Sequence, residues 1–495
     1  MYLTSYSLMM YYLLLLIVLT AVLSFLGVLP FNGLDILLEA FYLVTICKLS
    51  NYIFAKIFKV KTNPESPIIT GLILSLIIGP VSPWTAPFYW IPAFAGMVAM
   101  GSKYLIAWKE KHIFNPAGFG VVATAIVLGH GASWWVGNQW MFVPILLGGL
   151  LILKKIRRFE LTIAFFVTYA FFSLLTSNFS FQTIFGSPII FFAFVMLVEP
   201  LTSPLFKKWQ VIYAVAVALA FNIIPRILPN VYYPLELSLL FGNIISFIVS
   251  KDFKQSIILK EKIKLTKDVM AFKFEPSKKF DFKPGQFLEW TLSHSKPDNR
   301  GIRRFFTISS SPTEAFIRSK APLMMLTSKF YEKPSTFKQA LEKLEKGDEI
   351  IISGLSGEFT LPEDNSKKLV FIAGGIGITP FRSMVKWMVD KKESRDVVIL
   401  HSNKTENDIV FKDIFKQGEK FGVRTVYINT EKDGYIDEKL IKKQVADWKE
   451  RLFYVSGPEP MVESFEKMLY KMGLGKNQVK RDYFPGYTET HQKLK

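Results

Sequence analysis

Apolar residues run almost unbroken through the first half of the chain and alternate with polar ones through much of the second. Between residues 1 and 250, stretches rich in Leu, Ile, Val and Phe recur with short polar breaks. The pattern predicts membrane-spanning helices near 8–29, 33–54, 65–82, 87–106, 116–131, 140–153, 159–177, 184–200, 209–225 and 234–250. A helix of about 20 apolar residues crosses a bilayer, so about ten spans are expected. Gly and Pro break several runs, as in NPAGFG and GSPII; such breaks suit backbone that lines a cavity or cofactor site rather than lipid. Past residue 251 the period falls to two. SIILKEKIKLT, MAFKFEP, QFLEWTL, RRFFTIS, LMMLTSK and DEIIISG read as short strands of an antiparallel barrel. From residue 368, KLVFIAG, DVVILHS, RTVYIN and RLFYVSG each precede a helical stretch, the signature of an open, doubly wound parallel sheet. The expected fold class is multi-domain: an α-helical polytopic membrane domain over 1–250, an antiparallel β-barrel domain over 251–365 and a doubly wound α/β domain over 366–495.

Charge orients this arrangement. Of 60 Lys and Arg and 41 Asp and Glu, only 14 and 7 lie in residues 1–250. With the N-terminus inside, the inner loops hold Lys56, Lys59, Lys61, Lys103, Lys109, Lys111, Lys154, Lys155, Arg157, Arg158, Lys207 and Lys208, and the outer loops hold Arg226. That asymmetry is a positive-inside signal. It predicts a multi-pass protein of the cytoplasmic membrane, in contact with membrane lipid, whose residues 251–495 are cytoplasmic. The remaining basic surplus reads as solvated surface. No basic patch carries interleaved aromatics, so no nucleic-acid partner is expected. The first apolar run lacks a basic n-region and reads as a span, not a signal peptide.

Cysteine and histidine narrow the chemistry. Cys47 is the one cysteine, which excludes a disulfide within the chain and a protein-bound iron–sulfur cluster. The histidines are His112, His130, His294, His401 and His491. His112 and His130 lie near opposite ends of one predicted helix, about 27 Å apart at 1.5 Å per residue, too far to clamp one haem. No metal site is expected. Polar residues in or beside spans are candidates because lipid penalises them: His112 and Asn115 in KHIFNPAGFG, and Glu199 and Thr202 in MLVEPLTSP.

The cytoplasmic half carries the densest chemistry. In RRFFTISSSP (303–312), Arg304 suits bidentate binding of a pyrophosphate, Phe306 suits stacking on a ring system, and Thr307 suits a hydrogen bond at the ring edge. Gly285 in KPGQFLEW marks a turn beside that strand. EKPSTF (332–337) offers Ser335 and Thr336 at the head of a helix, where backbone N–H groups favour phosphate. In AGGIGITPFRSM (373–384), Gly374, Gly375 and Gly377 let a second diphosphate approach the backbone. Thr379 is placed to cap the following helix, with Pro380 at its first position. VSGPEPM (455–461) is a further strand-end turn, and RDYFPGY brings aromatics to the tail.

That ordered set resembles the ferredoxin–NADP reductase family over nearly all of 256–488. Arg304, Phe306 and Thr307 match its flavin motif, with Phe305 at the variable position. Ser335 and Thr336 match the region that binds the FAD pyrophosphate. Gly374, Gly375, Gly377, Thr379 and Pro380 match the dinucleotide loop, and Gly457, Pro458 and Met461 match its C-G-P-x-x-M motif. The resemblance implies FAD and NAD(P)H as cofactors, an FAD-binding barrel, an NAD(P)-binding α/β domain, and Thr307 and Ser456 beside the reacting atoms. Ser456 stands where the family usually has cysteine, and Phe306 replaces a tyrosine. Ser402 and Lys404 suit a 2′-phosphate or are plain loop residues, so NADH and NADPH both stay open.

The membrane half resembles the flavin-carrying membrane subunits of sodium-pumping NADH:quinone oxidoreductase and of Rnf complexes (subunits B and D). The resemblance covers most of 30–250 through KHIFNPAGFG and FVMLVEPLTSP. It implies FMN or riboflavin in this half, near His112, Asn115, Glu199 and Thr202. The family attaches FMN through an outer-side S/T-G-A-T threonine; the corresponding loop here, GHGASWWVGNQ, has GAS and no G-A-T. The expected activity is an NAD(P)H-dependent flavin oxidoreductase. Its electrons pass from FAD into or across the membrane to a membrane flavin, a quinone or an extracytoplasmic flavoprotein acceptor. The alternatives are a redox-driven Na+ or H+ pump and a membrane-anchored reductase of a soluble acceptor.

Overall fold

The computed structural model describes residues 5–59, 62–108, 111–156, 158–175, 188–204, 207–250, 254–295, 297–298, 301–317 and 323–483. The chain divides near residue 252 into two compact units.

The first unit is helical. Its helices are α1 (Ser5–Phe25), α2 (Gly33–Ile57), α3 (Glu65–Ile78), α4 (Pro87–Leu105), α5 (Pro116–Leu128), α6 (Phe142–Ile156), α7 (Phe159–Leu175), α8 (Lys207–Ile227) and α9 (Pro234–Ser250). A short turn at Ile189–Phe191 runs into a π-helical turn at Phe192–Met196. Local chemistry sets the boundaries. Asn32 and Asn115 accept from the first-turn N–H groups of α2 and α5, satisfying donors that have no partner within the helix. Gly79, at φ 102°, stops α3 short of the expected 82. Among the described residues a helix or helical turn falls at each of the ten expected positions, the eighth only as the turns over 189–196; residues 176–177 and 184–187 lie outside the described ones. Two of them, α1 and α8, are long and apolar enough to cross a membrane by length and composition; α3, α5, α7 and most of α9 are shorter apolar helices.

The second unit contains two sheets. Strands β1 (Lys254–Lys264), β2 (Val269–Pro276), β3 (Phe287–Thr291), β4 (Arg303–Thr307), β5 (Met324–Lys329) and β6 (Glu349–Ser356) pair antiparallel in the order β4-β3-β6-β1-β2-β5. An isolated bridge between Ile308 and Leu326 joins the two edges, and the inward positions form one apolar core around Trp290, Phe272, Phe274 and Phe337. Helix α10 (Thr336–Lys343) belongs to this part. The parallel sheet comprises β7 (Leu369–Gly374), β8 (Val397–Asn403), β9 (Val423–Asn429), β10 (Leu452–Gly457) and β11 (Val479–Tyr483), in the order β9-β8-β7-β10-β11. Helices α11 (Thr379–Lys391), α12 (Lys412–Gly418), α13 (Glu438–Gln444) and α14 (Glu459–Lys471) follow β7 to β10 in turn, and an apolar core covers each face. Strand order reverses between β7 and β10, so their carboxyl ends form the switch point at which such sheets bind ligands. The sequence pattern missed β11, whose VKRDY is short and mostly polar. The aromatics expected at the tail lie, from Phe484 on, outside the described residues.

Candidate functional site

Two chain segments far apart in sequence meet at that switch point. Ser456 of β10 pairs with Ala373 of β7. A Cβ added to Gly377 would lie 2.4 Å from the Ser456 carbonyl oxygen and 2.8 Å from Gly457 Cα. One added to Gly374 would lie 2.2 Å from Met461 Sδ and 3.4 Å from Pro458 Cδ. The dinucleotide loop and the SGPEPM turn therefore touch backbone to backbone, and only glycine permits it. Gly375 takes a left-handed φ of 52° with open space beyond its Cα. The expectation for Thr379 needs correction: Gly375–Ile378 form a 3-10 turn continuous with α11, so Thr379 is already helical and caps nothing. Pro380 accordingly stands second in the helix, one residue past the first position expected for it. Ser456 is fully buried, and its hydroxyl has no hydrogen-bond partner among the described residues.

The flavin motif lies on β4. Thr307 is 3% exposed, and its Oγ1 has no hydrogen-bond partner among the described residues. A buried hydroxyl in that state costs free energy unless a ligand completes it, so the site fits a heteroatom at a ring edge. Arg304 Nη2 donates to Asp298 at 2.8 Å, and its guanidinium lies 5.4 Å from the ring of Phe337 in the first turn of α10. This brings the cation to the helix end proposed for the pyrophosphate. Ser335 caps α10, its Oγ 3.4 Å from Lys338 N. The Thr336 hydroxyl accepts from Asp298 N at 3.0 Å and lies 3.1 Å from His294 Nε2, so it is engaged in holding the Asp298 segment. Phe306 packs in the barrel core against Phe337, at 5.8 Å between centroids. Phe305 is the exposed ring, edge-on to Phe287. Gly285 has φ 94°, and a Cβ there would meet the Phe359 carbonyl at 2.1 Å.

His401, Asn403 and the serine run carry signals that the sequence reading left unused. His401 on β8 lies 3.1 Å through Nε2 from the Gly375 carbonyl, and its Nδ1 has no partner among the described residues. Burial lowers its pKa to about 4, so the ring is neutral at pH 7 and its Nε2–H donates to Gly375. Asn403, two residues on, is buried with both amide atoms unpartnered among the described residues. Ser402 and Lys404 flank it; Lys404 is exposed and 3.5 Å from Glu431. The serines after Thr307 are all buried, and the Ser309 and Ser310 carbonyls accept from Arg382 and Ser383 of α11. Arg382 in FRSM gave one signal, since it stands a single helical turn before apolar Val385. A cation there needs an acceptor, and the sequence does not say which.

In the first unit the other three candidates converge on Glu199. Its Oε2 accepts from Asn115 Nδ2 at 2.8 Å and from Thr202 Oγ1 at 2.9 Å, and His112 Nε2 lies 3.6 Å from Oε1. The network extends to residues not foreseen. Asn243 Oδ1 accepts from Asn115 N at 2.8 Å, and its Nδ2 donates to the Thr202 carbonyl at 3.2 Å. Arg158 donates to Ser203 Oγ at 2.6 Å. Asn115 at the cap of α5, Thr202 and His112 thus hold one carboxylate, and Asn243 of α9 braces the first two. His130, by contrast, stands beyond the other end of α5, edge-on to Trp90.

Residues 371–467 match the family model described as an oxidoreductase NAD-binding domain. The glycine betaine monooxygenase reductase subunit of Chromohalobacter salexigens is 28% identical over 236 residues, covering 45% of this chain and 62% of that protein. The flavohemoprotein of Oceanobacillus iheyensis is 26% identical over 254 residues, covering 47% and 59% respectively. The chain thus spans about three-fifths of the length of these relatives. A flavohemoglobin structure from Malassezia yamatoensis, with bound FAD and heme, aligns over 69% of this chain and 98% of its own, at 18% identity and a TM-score of 0.43. The second unit is an NAD(P)H-dependent oxidoreductase module, with FAD and NAD(P)H as its cofactors.

Proposed function

We propose that the whole chain is a multi-pass flavoenzyme of the cytoplasmic membrane. It oxidises cytoplasmic NAD(P)H and passes electrons into the membrane domain, to a flavin, a quinone or an extracytoplasmic acceptor. Bound FAD supplies the conversion of a two-electron hydride donor into single-electron delivery. The chain's own residues do the rest. Arg304 and the first turn of α10 bind the pyrophosphate, Thr307 holds the ring edge, and the Gly374–Gly377 loop admits the dinucleotide. Ser456 and Gly457 form the floor beside the nicotinamide.

One observation carries the membrane part of this reading. Exposed large apolar side chains crowd the first unit, among them Leu15, Val18, Phe41, Ile53, Leu151, Ile163, Val167, Phe171 and Ile248. Beyond residue 250, only Ile258, Phe305 and Tyr435 are so exposed among the described residues. Soluble monomers rarely show such patches; lipid accounts for them. Inside that surface lies the polar network on Glu199, as intramembrane polar groups serving function do. The test is a flavin count on detergent-purified full-length protein, with its visible spectrum before and after NADH or NADPH. Two or more flavins, all bleached by nucleotide, support the reading. A single flavin refutes a membrane flavin and leaves direct quinone reduction or a simple anchor.

A redox-driven ion pump is the second reading. Glu39, Glu65 and Glu236 favour it, each buried with one carboxylate oxygen unpartnered among the described residues. Turnover independent of sodium and without proton uptake would exclude it.

A further inference from the structure

We propose that Arg382 and Glu314 are positioning residues that set the distance between the flavin and the nicotinamide. This inference rests on the cofactor sites assigned above. Ser309, Ser310 and Ser311 follow almost directly after Thr307, the last residue of β4, and Arg382 and Ser383 follow Thr379 and Pro380 on α11. The two segments are clasped together. Arg382 forms a bidentate pair with Glu314, one arm at 2.8 Å, and its Nη1 also donates to the Ser309 carbonyl at 3.0 Å. Ser383 Oγ donates to the Ser310 carbonyl at 2.7 Å. Thr313 Oγ1 donates to Asp390 at 2.6 Å, in the last turn of the helix. The barrel side is anchored in turn: Ser309 Oγ donates to the Met325 carbonyl at 3.0 Å, and Ser310 Oγ accepts from Met325 N at 3.0 Å.

Arg382 is 8% exposed at its side chain. A guanidinium in a rigid fork on a carboxylate fixes direction as well as distance. The clasp therefore ties the strand bearing Thr307 to the helix that opens the dinucleotide loop, within a few residues of each cofactor contact. Neither Arg382 nor Glu314 is assigned a contact with either cofactor. Their effect acts through geometry, and a misplacement of about 1 Å at a reacting pair costs about 10²-fold in rate.

The experiment is stopped-flow reduction of the full-length protein by saturating NADH and NADPH, as rate per bound FAD, for wild type, Arg382→Met, Ser383→Ala and the swap Arg382→Glu with Glu314→Arg. Arg382→Met is expected to lower the rate about 10²-fold, with FAD content and nucleotide Kd nearly unchanged. Ferricyanide should reoxidise its dithionite-reduced flavin at the wild-type rate, since that step does not cross the clasp. The swap should recover at least part of the loss. Ser383→Ala, which keeps the ion pair, should slow reduction about fivefold, the equivalent of one hydrogen bond, and it decides the matter if Arg382→Met does not fold. If wild type bleaches and the variants bleach equally fast per bound flavin, the inference falls alone. If wild type is bleached by neither nucleotide, the cofactor reading falls and takes the inference with it.

Discussion

Replacing either loop glycine with alanine tests whether the switch point is a contact of backbones. In Gly377→Ala the new Cβ would lie 2.4 Å from the Ser456 carbonyl oxygen and 2.7 Å from its carbon, inside the 3.0 Å that such atoms hardly ever breach. The obstacle is main chain at the carboxyl end of β10, a strand paired on both sides in the five-stranded sheet, so the loop itself must retreat. Overpacking of this kind costs about 1–3 kcal/mol, and a displaced loop loses both affinity for the dinucleotide and rate. In Gly374→Ala the obstacle is Met461, with Sδ at 2.2 Å and Cε at 2.8 Å. That side chain is flexible and can be trimmed. Titration with NADH and NADPH, followed by flavin bleaching, should show both single variants weakened by about tenfold or more, the equivalent of about 1.4 kcal/mol. Adding Met461→Ala should restore Gly374→Ala substantially and leave Gly377→Ala unchanged. Wild-type affinity in Gly377→Ala, or its rescue by Met461→Ala, would refute the assignment of that close approach.

Thr307→Val removes a buried hydroxyl that has no protein partner among the described residues. The FAD-free protein should be as stable as wild type, while FAD affinity drops about fivefold, one hydrogen bond; calorimetry and FAD titration measure the two. His401 has a folded pKa of about 4 against an ordinary 6.5. Between those values the unfolded chain binds the extra proton, so the stability present above pH 6.5 is lost as pH falls through 4. The loss is about 3 kcal/mol and should be absent from denaturation curves of His401→Gln. Glu199→Ala deprives Asn115 and Thr202 of their shared acceptor. It should lower the flavin count of the whole protein while NAD(P)H still bleaches the FAD; an unchanged count and spectrum would separate Glu199 from any membrane flavin.

Much of this protein is legible one residue at a time. Period-two alternation marks the barrel strands because each residue's choice of face is local. The apolar runs mark the helical positions for the same reason, and the glycines of the dinucleotide loop, Gly375 among them, act through the dihedral preferences of the chain nearest them. The cofactor motifs are readable because phosphate binding by a helix end or a glycine turn is built from consecutive residues. Tertiary structure decided whatever depends on a partner far along the chain. It sent Phe306 into the core and left Phe305 outside, made Thr336 a brace for Asp298, and extended α11 backwards so that Thr379 caps nothing. It also gave RRFFTISSSP its second role. Thr307 serves the flavin site, but the serines behind it bond to a helix 73 residues away. Glu199 likewise became a hub only when α5 and α9 folded beside it. A hydroxyl, an amide or a carboxylate has the same local preferences whether it caps a turn, binds a cofactor or clasps another element. Only the three-dimensional packing supplies the second atom of the hydrogen bond, and that atom determines which of these it does.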